Sequence, residues 1–139
     1  MQGNIRIFVD KHYNKDRKKS GISDQDLRDI AADVLAKPTK GTLGGGVYKK
    51  RVGLEDSGTS GGARSIVFYH QGDKFYFYDG WEKKDVPKSG PEIPEDLVKA
   101  YKVQSKVYKA MTAEQLKAEL KSKELVEIPS AKPEKKDDS

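Results

Sequence analysis

Three strand-forming segments follow one another between residues 47 and 80, and the connections between them leave no room for a crossover helix. Val47 to Leu54 alternates apolar and basic residues. Arg64 to His70 (RSIVFYH) is rich in β-branched and aromatic side chains, as a central strand is. Phe75 to Gly80 (FYFYDG) is its partner. The linkers are the eight residues Glu55–Gly62 and the four residues Gln71–Lys74. Parallel neighbours need a connection of about a dozen residues or more, so the three segments are expected to form an antiparallel meander. Asn4 to Val9, with Ile5, Ile7 and Val9 in period two, reads as a further short strand.

Helices flank this sheet. Ser23 to Ala36 carries Leu27, Ile30, Ala31, Val34 and Leu35 on one stripe. Ser23 with Asp26 forms a capping-box pattern, and Pro38 ends the segment. Asp10 to Lys19 is polar apart from Tyr13 and fits a helix or a loop. Gly41–Gly46 reads as a flexible entry to the first meander strand. After the connector Pro87–Pro94, Glu95 and Asp96 open a helix whose expected apolar face is Leu97, Tyr101, Gln104, Tyr108 and Met111. Thr112 with Gln115 caps a last helix carrying Leu116 and Leu120, and Leu125–Ile128 fits a final strand. The expectation is an α+β domain over residues 1–129, with N-terminal helices packed on one face of a small antiparallel sheet and C-terminal helices beyond it. Residues 130–139 are expected to be a disordered charged tail.

Several chemistries lack their residues. The chain has no cysteine and only two histidines, His12 and His70. Disulfide scaffolds, thiol enzymes and cysteine or histidine-rich metal sites are therefore excluded, and no metal or cofactor is expected. No Ser-His-Asp set assembles. The glycines at 44–46 and 57–62 lack the Lys-Ser/Thr pair of a phosphate-binding loop, so they read as turns. No apolar run approaches the ~20 residues of a membrane span, and no basic-then-apolar leader opens the chain. The expectation is a cytoplasmic protein.

The formal net charge is +5, and it is concentrated. Residues 37–54 hold Lys37, Lys40, Lys49, Lys50 and Arg51 with no acid. A basic block laid on strands points to a polyanionic partner. Alternation puts Val47, Lys49 and Arg51 on one strand face and Tyr48, Lys50 and Val52 on the other. Arg64 opens the next strand, and Lys83 and Lys84 follow the third. A meander can bring these clusters to one concave surface.

These residues carry a resemblance. Leu43-Gly44-Gly45-Gly46-Val47-Tyr48-Lys49-Lys50-Arg51-Val52, then Ser60-Gly61-Gly62-Ala63-Arg64-Ser65-Ile66, then Phe77-Tyr78-Asp79-Gly80-Trp81-Glu82-Lys83-Lys84-Asp85 resemble the RelE/HigB-type toxins of bacterial type II toxin–antitoxin modules. The likeness spans about residues 4–128. One departure is Val86-Pro87-Lys88-Ser89-Gly90-Pro91, where relatives tend to carry Asn-Ile. The resemblance implies an antiparallel sheet with a cleft on its exposed face. It implies cleavage of messenger RNA in the ribosomal A site, without metal, by the RNA's own 2′-hydroxyl. It also implies a cognate antitoxin, expected to be a helix-turn-helix protein.

By the same resemblance, Lys49, Arg51, Arg64 and Lys84 are the candidate catalytic residues. Arg64 is assigned to the scissile phosphate, in an open cleft, and Lys49 is the preferred base. Lys84, or its neighbour Lys83, is the preferred acid, with Tyr76, Tyr78 and His70 behind it. Lys50, Lys83, Trp81 and His70 are the candidate RNA contacts. Such a reaction needs a base, an acid and cations over the phosphorane. Clustered cations lower one another's proton affinity, which suits lysine to acid–base work there. The alternatives are a ParE-like poison of DNA gyrase and an inactive RNA-binding member.

Overall fold

The first strand of the chain ends up inside the sheet. A computed structural model describes residues 5–53, 62–85 and 92–130. Strand β1 (Arg6–Asp10) leads directly into helix α1 (Lys11–Lys19), because the Asp10 carboxylate accepts from the backbone N–H groups of His12 and Tyr13. Arg17, Lys18 and Lys19 in its last turn complement the helix dipole. Helix α2 (Asp24–Ala36) starts at the Ser23–Asp26 capping box and buries Leu27, Ile30, Ala31 and Val34. The polar segment 10–19 is thus a helix, anchored by buried Tyr13 and by Arg17, which pairs with Asp24 at 2.7 Å.

The entry at 41–46 contains a short strand, β2 (Thr42–Gly44), which turns through Gly44, Gly45 and Gly46, all at positive φ, into β3 (Val47–Val52). A Cβ on Gly46 would lie 2.3 Å from the His70 ring, so only glycine fits. Strands β4 (Ala63–Tyr69) and β5 (Lys74–Glu82) complete the expected meander. A short 3₁₀ turn, Lys83–Asp85, follows. Helices α3 (Glu95–Lys109) and α4 (Ala113–Lys121) and strand β6 (Leu125–Ile128) close the fold. The capping box of Thr112 and Gln115 forms as expected.

The strand order is β2-β3-β4-β5-β1-β6. The sheet is mostly antiparallel, but β1 lies parallel to β5, with Ile7 opposite Phe75 and Val9 opposite Phe77. Helices pack on both faces. On one, Ile7, Val9, Val67, Phe75 and Phe77 meet α1 and α2. On the other, Phe8, Ile66, Phe68 and Tyr76 meet Tyr101 of α3 and Leu116 of α4. Every residue of β4 is buried, as a strand between two helical layers should be.

Two expectations change here. The second sheet face is largely covered by α3 and α4, and at the end where β3, β4 and β5 carry Arg51, Arg64 and Trp81 it is Arg51 that is exposed while Arg64 is buried. Helix α3 is also turned slightly from the expected face. It buries Tyr101 and Ser105 and packs Val98 and Tyr108 inward, leaving Leu97 38% exposed. Among the described residues, no helix is long and apolar enough to cross a membrane. The departure at 86–91 and the tail from 131 onward lie outside the described residues.

Candidate functional site

Register builds the site. Arg51 of β3 sits opposite Arg64 of β4, and Arg64 sits opposite Trp81 of β5. The three are lateral neighbours across three strands. Lys49 lies two residues along β3 on the same face, opposite Ile66. Lys83 follows the end of β5, where its backbone N–H donates to Gly62 at 2.8 Å.

A carboxylate sits at the centre of this group. Glu92 is delivered by Ile93, which is buried against the α3 face of the sheet, and by Pro94, which begins α3. Lys49 Nζ donates to Glu92 Oε1 at 2.9 Å. Glu92 Oε2 lies 3.4 Å from Arg64 Nε, 3.4 Å from Lys83 Nζ and 3.5 Å from Trp81 Nε1. The carboxylate is only 13% exposed. Burial works to raise its pKa. The Lys49 hydrogen bond, the charges of Lys49 and Arg64 and the Trp81 donor outweigh that, holding it below the usual carboxylate range. Sequence reasoning missed Glu92. The available signal was Ile93, an apolar residue beside a carboxylate in a polar, proline-bounded connector.

The candidate residues divide by placement. Lys49, Arg64, Trp81 and Lys83 are brought together, and exposed Arg51 stands at their edge. Arg64 is 6% exposed, so it does not project into an open cleft as expected. It lies under Glu92, and its Nη1 donates to the Ala63 carbonyl at 3.2 Å. Lys84 turns away from the cluster, and its ammonium lies 3.6 Å from Glu82. Lys50 is on the opposite sheet face, buried and paired with Asp33 of α2 at 2.7 Å. The alternation that exposes Lys49 requires this.

His70 is likewise removed from the cluster. Its Nε2 lies 2.9 Å from Ser105 Oγ and 3.1 Å from the Ser105 carbonyl, while Ser105 Oγ donates to the Gly45 carbonyl. Ser105 of α3 thus holds the end of β4 through His70 and the β2–β3 turn through Gly45. Tyr76 is buried and stacked on Phe8, and Tyr78 packs on Phe68, so both belong to the aromatic layer beneath α3 and α4. Tyr101 donates to Asp79 at 2.5 Å, and burial together with that carboxylate raises its pKa.

The arrangement holds a carboxylate. Three cations and an indole N–H converge on the two oxygens of one group, and one of the cations is a guanidinium held against the strand. A family model described as the RelE toxin of the RelE / RelB toxin-antitoxin system matches residues 5–128, from the start of β1 to the end of β6. No curated protein matches significantly. With the match covering nearly the whole chain, this protein belongs to the RelE toxin family, the toxin half of a toxin–antitoxin pair.

Proposed function

We propose that the chain is an endoribonuclease that cleaves messenger RNA on the ribosome and so blocks translation. The observation that supports this most is the convergence of Lys49, Arg64 and Lys83 on a single pair of oxygens. A phosphodiester presents the same two oxygens and the same single charge. In this reading Arg64 grips the scissile phosphate, and Arg51 and Trp81 extend the binding face, Trp81 by stacking on a base. Lys49, as the neutral amine after losing its own proton, takes the proton from the 2′-hydroxyl as its oxygen attacks phosphorus. The P–O5′ bond breaks, and the departing 5′-oxygen receives a proton from Lys83, the member of the Lys83–Lys84 pair that reaches the cluster. The products are a 2′,3′-cyclic phosphate and a free 5′-hydroxyl. The cations offset the charge of the phosphorane in a partly desolvated setting, where fixed charges act most strongly.

The partner is an antitoxin, proposed as a small helix-turn-helix protein encoded beside this one. Incubation of purified protein with translating ribosomes tests the activity. Cleaved mRNA is the expected result. Intact mRNA together with trapped, cleaved DNA in the presence of gyrase would assign the chain to gyrase poisoning instead. Binding without cleavage of either nucleic acid would make it an inactive RNA-binding member.

A further inference from the structure

We infer that Glu92 occupies the seat of the RNA phosphate, so that the site is held closed by the chain's own carboxylate and RNA binding exchanges one anion for the other. This rests on the proposed reading that the cluster receives an RNA phosphate. Both Glu92 oxygens are taken, Oε1 by Lys49 and Oε2 by Arg64, Lys83 and Trp81. An oxygen so engaged has little capacity left to accept a substrate proton, which makes Glu92 a resident ligand of the cations rather than a base. A phosphodiester cannot join it. Two anions in one seat repel, and the cations that hold the carboxylate are the ones the phosphate needs. Ile93 and Pro94 anchor the chain just beyond Glu92, so withdrawal needs movement of the side chain and not of helix α3.

The consequence is an affinity reduced by the fraction of molecules in which Glu92 has withdrawn. Free RNA would compete poorly, whereas RNA held in place by a larger assembly competes at high effective concentration.

The test uses the full chain and a short single-stranded oligonucleotide with 2′-O-methyl groups, which binds but lacks the nucleophile. Glu92→Gln keeps the side-chain shape and removes the charge. It is expected to bind the oligonucleotide about tenfold tighter than wild type, the gain for opening a site held by roughly 1.4 kcal/mol. Cleavage of mRNA on ribosomes by this variant should be retained or increased. In wild type carrying ¹³C-labelled glutamate, saturating oligonucleotide should move the Glu92 carboxyl resonance to the position of an exposed glutamate.

Unchanged or weaker binding by Glu92→Gln, with binding still dependent on Arg64, would overturn the exchange alone. So would a variant that binds but no longer cleaves, since Glu92 would then take part in the chemistry. If Glu92→Gln fails to fold, the wild-type resonance decides, and no movement at saturation overturns the inference. Absence of any Arg64-dependent binding would overturn the functional reading itself, and the exchange with it.

Discussion

Arg64 shows how far a single residue could be read in advance. Its proposed role as a phosphate ligand came from the resemblance, which matches it to the arginine at a strand start, but its burial could not be foreseen, because the group that covers it comes from a connector 28 residues later. The prediction for Arg64→Ala therefore has two parts. Cleavage on ribosomes should fall by roughly 10²–10³, as for other lost oxyanion donors. Thermal melting should also drop, by about 1–3 kcal/mol, because Glu92 is left with fewer partners in a nearly enclosed position. Arg64→Lys should restore much of the stability and little of the rate, since an ammonium cannot make the paired contact of a guanidinium. The two lysines after β5 give a sharper comparison. Lys83→Ala should lower the cleavage rate by tenfold or more, as loss of general acid–base help does. Lys84→Ala, which loses only an exposed contact to Glu82, should cleave within about twofold of wild type and change stability by less than ~1 kcal/mol. Equal losses in the two variants would show that the turn, and not the single ammonium at Glu92, is what the site requires. Lys121→Ala, on the exposed side of α4, is the control.

Among the elements, the meander and the capped helices were legible because their signals are local. Val47–Val52 alternates, and Ser23 and Thr112 sit three residues before a partner that returns the hydrogen bond, whereas the flexible entry read at 41–46 hid the short strand β2 and its turn. Two features were not local. The inward face of α3 was misjudged by a fraction of a turn, since Leu97 and Val98 are equally apolar and only the sheet beneath decides between them. His70 gave no sign that its partner was Ser105, 35 residues away. That contact joins turn, strand and helix, and it carries a prediction. Burial, followed by the charge of Lys109, lowers the pKa of His70, with the Ser105 carbonyl opposing. A histidine lowered on folding favours the neutral form, so its contribution to stability is present above its ordinary range near 6.5 and is lost as pH falls below it. His70→Ala should cost about 1–3 kcal/mol at neutral pH, because the Ser105 groups that His70 meets lose that partner. Its denaturant midpoint should then vary less than that of wild type between pH 7 and pH 5. A midpoint difference that stays constant across that range would remove the histidine as the source.

For the whole molecule, the α+β class and the two groups of helices were readable from element order. The pairing of β1 was not, because parallel alignment with a strand more than sixty residues later leaves no trace in a short window. At this scale, expression without the antitoxin should arrest bacterial growth by stopping protein synthesis. Unchanged uptake of labelled amino acids after induction would count against it. Deleting residues 131–139 should leave both melting temperature and toxicity as they are, since those residues offer no apolar surface beyond Ala131. The position of β1 has a further consequence. Its two neighbours come far later in the chain: β5 and the four-residue β6, the last strand among the described residues. Until Leu125–Ile128 emerges, β6 cannot cover its edge of β1, and that long loop closure is not yet offset by contacts. The sheet that carries Lys49 and Arg64 thus lacks its β6 edge until Leu125–Ile128 has left the ribosome, and a chain held back before that point is not yet the folded protein.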